Sequence, residues 1–254
     1  SALVQHLRVF PYVQLFFVAL FMIVGYLGFS YVRKSEQSNL WVGMAKEAAH
    51  QLGTPLSSMM GWIAILKDGE DSPEYVDEAV EELEKDVGRL QRVANRFSTI
   101  GSTPKLTQTQ LKPVVEGVAT YIRRRIPQQG QQISLDVHVP EEIELPLNAE
   151  LFEWVIENLL KNALDAIDEE TGRVEVEAWK KNDKIYVDVR DTGKGIEKRQ
   201  WKNIFRPGYS TKKRGWGLGL SLAKRVVEEY HGGRLVILSS RPGEGTTFQI
   251  TLSA

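Results

Sequence analysis

Glu47-Ala-Ala-His50-Gln-Leu-Gly-Thr54-Pro55-Leu56 is the stretch around which the chain is organised. It lies within an apolar pattern of Trp41, Met44, Ala48, Leu52, Pro55, Leu56, Met59, Ile63 and Leu66, spaced mostly three and four residues apart. Such side chains share one face of a helix. His50 stands two residues from both Ala48 and Leu52, and at about 100° per residue it is turned off that stripe toward water. An exposed imidazole titrates near about pH 6.5, so at neutral pH it is mostly an uncharged nucleophile. Pro55 lacks the N–H that would bond to the carbonyl of Gln51, which predicts a bend just past the histidine. An exposed helical histidine has no function by itself; the boxes further along decide its meaning.

On the N-terminal side, Val9–Phe29 reads VFPYVQLFFVALFMIVGYLGF, without a charge. About 20 such residues cross a hydrocarbon core of about 30 Å. Tyr12 and Tyr31 lie near its ends, Arg8 precedes it, and Arg33 and Lys34 follow. The excess of positive charge on the C-terminal side predicts that the remainder is cytoplasmic, with one span in the inner (cytoplasmic) membrane. No small-residue cleavage site follows, which argues against a signal peptide. The alternative is a buried or dimer-forming soluble helix.

On the C-terminal side, the His50 helix, reached through a short polar segment at Ser35–Leu40, should fade at Lys67-Asp-Gly-Glu-Asp71. Ser72-Pro73-Glu74 then starts another, with a capping serine, proline at the first position and an acid in the first turn. Val76, Val80, Leu83, Val87, Leu90, Ala94, Phe97 and Ile100 form a heptad-like stripe ended by Gly101-Ser-Thr-Pro104. Two helices cannot bury two such stripes, whereas two copies of the hairpin can, so the expected unit is a homodimer with a four-helix bundle. The other solution packs the hairpin on the domain that follows.

From Lys105 the pattern becomes mixed α/β. Expected elements are a strand at 106–111, a helix from Pro113 to Ile126, a strand at 133–139 and a helix at 149–167 capped by Asn148. Strands at 174–179 and 184–190 follow, then a short helix around Trp201, a loop at 206–217 and a helix at 218–230. A last hairpin, 234–239 and 246–252, turns at Pro242-Gly-Glu-Gly245. The composition suits this reading: 254 residues with a net charge of −1 show no nucleic-acid footprint. The absence of cysteine excludes disulfides and thiolate ligands, and four scattered histidines lack zinc-site spacing.

Three elements carry chemistry. In Asn158-Leu-Leu-Lys-Asn162-Ala-Leu-Asp165 the two asparagines are four apart and face the same way. Uncharged oxygens suit a magnesium ion that takes its other ligands from water and phosphates. Asp191-Thr-Gly193-Lys-Gly195-Ile196 follows a strand, where a carboxylate accepts an exocyclic amine and glycines admit a base and sugar. Gly215-Trp-Gly217-Leu-Gly219-Leu220 opens a helix in the manner of phosphate-cradling loops. Before it lies a basic loop, Ser210-Thr-Lys212-Lys213-Arg214, suited to closing over phosphates.

In this order and spacing the boxes resemble the GHKL (Bergerat) ATP-binding fold as found in sensor histidine kinases. NLLKNALDAI is similar to the N box, DTGKGI to the first glycine box, IFRPGYSTK to the F box and GWGLGL to the second glycine box. AAHQLGTPLSSMMGW resembles the H box of the HisKA dimerisation and phosphotransfer domain. The resemblance covers about Leu40 to the C-terminus and implies a helical-hairpin dimerisation domain at 35–103 and an α/β-sandwich catalytic domain at 104–254; with the transmembrane segment read from hydropathy at 1–34, the chain is α+β in three parts. The resemblance also implies ATP and Mg²⁺ as cofactors, with Asn162 and Asn158 toward the metal. Asp165, Asp191, Gly193, Gly195, Lys212, Gly215, Gly217, Leu218, Gly219 and Thr246 would surround the nucleotide. His50 would take the γ-phosphoryl group and pass it to an aspartate on the receiver domain of a response regulator, without nucleic acid. Thr54 would orient the water that dephosphorylates that regulator. Related ATPases such as gyrase and MutL carry a glutamate base where this chain has Asn158, which favours transfer over hydrolysis. The competing readings are a GHKL ATPase and a nucleotide-binding membrane scaffold or pseudokinase.

Gln51 departs from the family pattern, which has an acid immediately after the acceptor histidine. Its amide oxygen can accept a ring N–H and orient the imidazole, but it cannot take the proton. That implies a functioning, slow autokinase, unless Glu47, one turn before His50, supplies the carboxylate.

Overall fold

The computed structural model describes residues 2–67, 73–100, 104–124, 126, 132–168, 171–211 and 217–254, and the side chains of most of them. The side chains of His50 and Glu47 lie outside the described set, as do residues 212–216 with Lys212 and Gly215.

Helix α1 (Ala2–Lys67) runs unbroken from the apolar segment through Ser35–Leu40 and past Pro55. The expected polar lead is therefore helical, and nothing interrupts the path from the apolar segment to His50. Residues Gln14–Tyr31 are long and apolar enough to cross a membrane, and none of them is buried within the chain. Helix α2 (Pro73–Ile100) returns along α1. Among its described side chains the buried ones are Ala79, Asp86 and Val93, seven residues apart and one residue beside the expected stripe. Asp86 sits in this seam, with one carboxylate oxygen on Arg89 at 2.7 Å. Val76, Val80 and Val87 of the expected stripe stay exposed, as do Leu56, Met60 and Ile63 of α1.

Strand β1 (Thr107–Gln110) leads directly into α3 (Leu111–Arg123). The helix starts two residues before Pro113, because N–H groups of a first turn have no intrahelical partner and proline loses nothing there. It also ends before the expected Ile126. After β2 (Gln132–His138) comes β3 (Glu144–Leu147), which the sequence reading lacks. It pairs antiparallel with β1, Gln108 facing Pro146, in a two-stranded ribbon that tolerates a missing N–H. Leu145 and Leu147 point inward from it.

Helix α4 (Ala149–Leu164) is capped by Asn148, whose side chain accepts from the Leu151 N–H at 3.0 Å. Strands β4 (Thr171–Lys181) and β5 (Lys184–Asp191) run longer than the alternation alone marks, joined through Asn182 at φ +55°. A short 3₁₀ turn at Lys198–Gln200 precedes Trp201 in place of a helix around it. Helix α5 (Gly219–Arg225) continues as one π turn, Val226–Tyr230. Strands β6 (Arg234–Arg241) and β7 (Gly245–Ser253) close the chain.

The main sheet has the order β2-β4-β5-β7-β6, with β2 parallel to β4 and the rest antiparallel. Helices α3, α4 and α5 pack on one face. Val155, Leu159 and Leu160 of α4 meet a layer that includes Val176, Val187, Val189 and Ile250, all essentially fully buried. Emptying one large position, such as Phe152→Ala, would cost about 3–5 kcal/mol. His231 ties the two helical ends together. Its Nε2 accepts from the Asn148 N–H at 3.1 Å, so Nδ1 carries the proton and donates to the Val226 carbonyl at 2.8 Å. Burial holds this imidazole below its usual range, keeping it neutral.

Candidate active site

The apolar phase of β5 places Ile185, Val187 and Val189 inward, and Asp191 follows in the same phase at the strand end. It is the last residue of β5 and is 3% exposed. Pairing of β5 with β7 sets Thr246 directly across from it. Asp191 Oδ1 accepts from the N–H of Gly193 at 2.9 Å and from that of Thr246 at 3.2 Å. Burial raises the carboxyl group to about 6, more than those two bonds lower it. Acceptance by backbone amides leaves the other oxygen for a donor from a ligand.

The glycines around this carboxylate are required by space. A Cβ on Gly193 would overlap the Ala166 carbonyl, and Lys194 N–H bonds to that same carbonyl at 2.8 Å. Gly195, at φ +68°, presses on the Arg241 backbone. Ser240 completes this wall, and the sequence reading passed it over. Its hydroxyl accepts from the Ile196 N–H at 2.8 Å and lies 2.9 Å from Thr246 Oγ1. A serine in a strand offers no pattern to read; only the β6–β7 pairing brings it to Thr246.

Opposite stands α4. Asn158, Asn162 and Asp165 line one cleft of about 580 Å³ with Asp191, Gly195, Gly217, Leu218, Gly219 and Thr246. Gly193 sits behind the wall, against Ala166. Asn158 donates its amide N–H to the Trp154 carbonyl at 2.9 Å. Its Oδ1 abuts Gly219, where a Cβ would come within 2.7 Å of it. Gly217 has φ +65°, and its carbonyl accepts from the Gly208 N–H at 3.1 Å, joining the F-box segment to the second glycine box. Tyr209, Ser210 and Thr211 of the F box reach the same cleft. The F box is anchored from behind by Phe205, edge-on to Phe248 and covered by Lys224 Nζ at 4.8 Å. Glu157, the residue before Asn158, is engaged by Lys161 at 2.7 Å.

The donor set fits a magnesium ion carried by phosphates. Among the described residues no cluster of three or more His, Cys, Asp or Glu forms a self-sufficient metal cage. Amide oxygens beside one carboxylate suit an ion that keeps waters and phosphate ligands.

The cleft has one further wall. Gln51 of α1, next to His50, lines it together with the α4 and glycine-box residues. Thr54 is exposed, one turn further along α1. Of the residues singled out from the sequence, the described ones thus gather around one cleft, with Thr54 outside its lining; Lys212, Gly215 and the His50 side chain fall outside the described set.

Two family models match the chain. The histidine kinase-, DNA gyrase B- and HSP90-like ATPase model covers residues 148–254, and the His Kinase A phospho-acceptor model covers 42–102; together they span more than half of the chain. The chain is similar to the alginate biosynthesis sensor protein KinB of Pseudomonas aeruginosa, at 31% identity over 81% of this chain and 36% of that protein. It is also similar to the signal transduction histidine-protein kinase AtoS of Escherichia coli, at 30% identity over 80% of this chain and 33% of that protein. The chain therefore spans about a third of the length of these relatives. At the level of fold it is similar to full-length ShkA in complex with AMPPNP, with TM-score 0.56 and 22% identity over 83% of this chain and 46% of that one. Histidine kinase ThkA in complex with the response regulator protein TrrA gives TM-score 0.54 and 21% identity over 87% of this chain and 64% of that one. With the phospho-acceptor helix leading into the nucleotide-type cleft, the chain belongs to the sensor histidine kinases of two-component systems.

Proposed function

We propose that this chain is the membrane-anchored autokinase core of a two-component sensor, with residues 1–34 as membrane segment, 35–103 as dimerisation and phosphotransfer domain and 104–254 as catalytic domain. The observation that carries the reading is the shared wall: the cleft built by α4, Asp191 and the Gly217–Gly219 turn also includes Gln51, the neighbour of His50. A nucleotide held there presents its phosphates toward the acceptor helix.

The residues divide the work. Asp191 accepts the adenine amine, Thr246 and Ser240 flank the base, and the glycines let the backbone close on base, sugar and phosphates. Asn162 would hold magnesium, with Asn158 Oδ1 as the second ligand and Asp165 nearby, and the ion would offset the phosphate charge. Lys212 of the lid supplies a further cation, with Lys213 and Arg214 as additional candidates. The neutral imidazole of His50 attacks the γ-phosphorus in line; the N–P bond forms as the bond to ADP's β-phosphate oxygen breaks, and ADP leaves. Gln51 orients the ring by accepting its other N–H, and the ring proton passes to solvent or to Glu47. Hydrolysis is disfavoured, because Asn158 cannot act as a base and Glu157 is occupied by Lys161.

His50 then delivers the phosphoryl group to an aspartate of a response-regulator receiver domain, and Thr54 orients the water that later hydrolyses that aspartyl-phosphate, releasing inorganic phosphate. The exposed apolar positions Leu56, Met60, Ile63, Val76, Val80 and Val87 support a homodimer closed as a four-helix bundle. The apolar segment anchors the chain in the inner membrane with the catalytic part cytoplasmic. Incubation with γ-labelled ATP tests the proposal. Acid-labile, alkali-stable label on the protein is the expected result. Phosphate release without label would instead make the chain an ATPase, and nucleotide binding with neither would make it a scaffold.

A further inference from the structure

We infer that Gly43 is a docking notch on α1 that receives Leu218 and so sets the register between the nucleotide cleft and His50; the inference rests on the autokinase reading above. A Cβ placed on Gly43 would lie 2.6 Å from Leu218 Cδ2, 2.8 Å from Cδ1 and 3.2 Å from Cγ. Packed carbon atoms meet at about 3.5–4.0 Å, so the leucine occupies the volume that any side chain at 43 would need. The other glycines of α1 behave differently: Gly25, Gly28, Gly53 and Gly61 have nothing within 4 Å of such a Cβ. Glycine weakens a helix interior relative to alanine, and close approach of another group is the physical reason to keep one there.

Leu218 is a firm foot. It is 3% exposed. Its neighbours are Gly217, fixed at φ +65° against the Tyr209 backbone, and Gly219, seated on Asn158 Oδ1. Whatever positions Leu218 on α1 therefore positions the second glycine box and, through Asn158, the metal-binding face of α4. Gly43 precedes His50 by seven residues. At about 100° and 1.5 Å per residue, the two positions share a face and lie about 10 Å apart along the axis. Gln51 marks the second contact, where α1 walls the cleft. Two contacts about two turns apart fix both the height and the rotation of the cleft on the helix, which a single contact cannot do. Gly43 is thus a positioning residue, acting through Leu218 rather than on the nucleotide.

The test uses the full chain in membrane mimetic, with Gly43→Ala and Gly43→Leu compared to the parent for initial rate of His50 labelling, ATP affinity and thermal stability. The labelling rate should fall in the order glycine, alanine, leucine. A displacement of about 1 Å can cost about 10²-fold in rate, and the leucine variant is expected to lose about that much. ATP affinity should stay at the parent value, since position 43 acts through the docking contact and not on the nucleotide. Alanine and leucine variants that label at the parent rate would overturn the inference, as would a loss of ATP affinity equal to the loss of rate. A parent chain that binds ATP and never labels would instead sink the autokinase reading, and this inference with it.

Discussion

Asp191→Asn separates the carboxylate's role in the ligand from its role in the fold. Asp191 Oδ1 accepts two backbone N–H groups, from Gly193 and Thr246, and an asparagine oxygen can do the same. What changes is the second atom: an acceptor becomes an NH₂ that faces the adenine amine, donor against donor. Losing a hydrogen bond to a charged acceptor is worth about 1.5–3 kcal/mol. At about 1.4 kcal/mol per decade, ATP affinity should fall roughly 10- to 150-fold. The pH dependence gives a second handle. Burial raises this carboxyl from 3.8 to about 6. A group whose folded value is raised stabilises the fold while protonated, below about pH 4, and that contribution is lost as pH climbs through about 6. At about 1.36 kcal/mol per unit, the shift is of the order of 3 kcal/mol. The unliganded parent should therefore lose stability relative to the variant between about pH 4 and 7, while its advantage in ATP affinity grows as the carboxylate forms. Titration calorimetry on both chains at each pH is the assay, since the terminal phosphate of ATP titrates near about pH 6 and cancels only in the comparison. Equal affinities near neutral pH, or an affinity ratio that does not change with pH, would refute the assignment of Asp191 to the base.

Asn162→Ala should abolish labelling with the catalytic domain still folded by circular dichroism, and labelling at the parent rate would mean the magnesium ligand lies elsewhere. Gln51→Glu should label faster than the parent; base assistance is generally worth about 10²–10⁴-fold, but an imidazole that is already neutral needs little of it, so the gain belongs at the small end. An unchanged Gln51→Glu together with a dead Glu47→Gln would move that role to Glu47. Thr54→Ala should keep autophosphorylation and slow dephosphorylation of a phosphorylated receiver domain, and equal dephosphorylation rates would leave Thr54 a helical threonine.

The legible parts of this chain were those with a local signature. Asn148 announces α4 as a cap, the inward alternation of β5 runs in phase into Asp191, and the spacing of Asn158 and Asn162 fixes their common face. What escaped reading depends on contacts between distant segments or on atoms competing for one partner. Strand β3 is four residues long and contains Pro146, so its alternation is too short to register. Ser240 matters only because β6 pairs with β7. The intrachain seam of α2 includes Asp86, a charged residue that a hydrophobic pattern assigns to the surface, so it lies beside the heptad-like stripe, which stays exposed at Val76, Val80 and Val87. The sequence offers the Asn158 oxygen as a ligand atom, and what it does not show is that the amide nitrogen is tied to the Trp154 carbonyl, which fixes where that oxygen points. The fit of Leu218 into Gly43 joins residues far apart in sequence, which no periodicity encodes.

The most direct test of the central claim is to incubate the parent chain and its His50→Gln variant with γ-labelled ATP, then add a receiver domain to each. The parent should acquire acid-labile label at His50 and lose it to an aspartate of the receiver, while the variant binds ATP with parent affinity and stays unlabelled. Label retained on the His50→Gln variant, or a parent that releases phosphate without ever carrying it, would contradict the account.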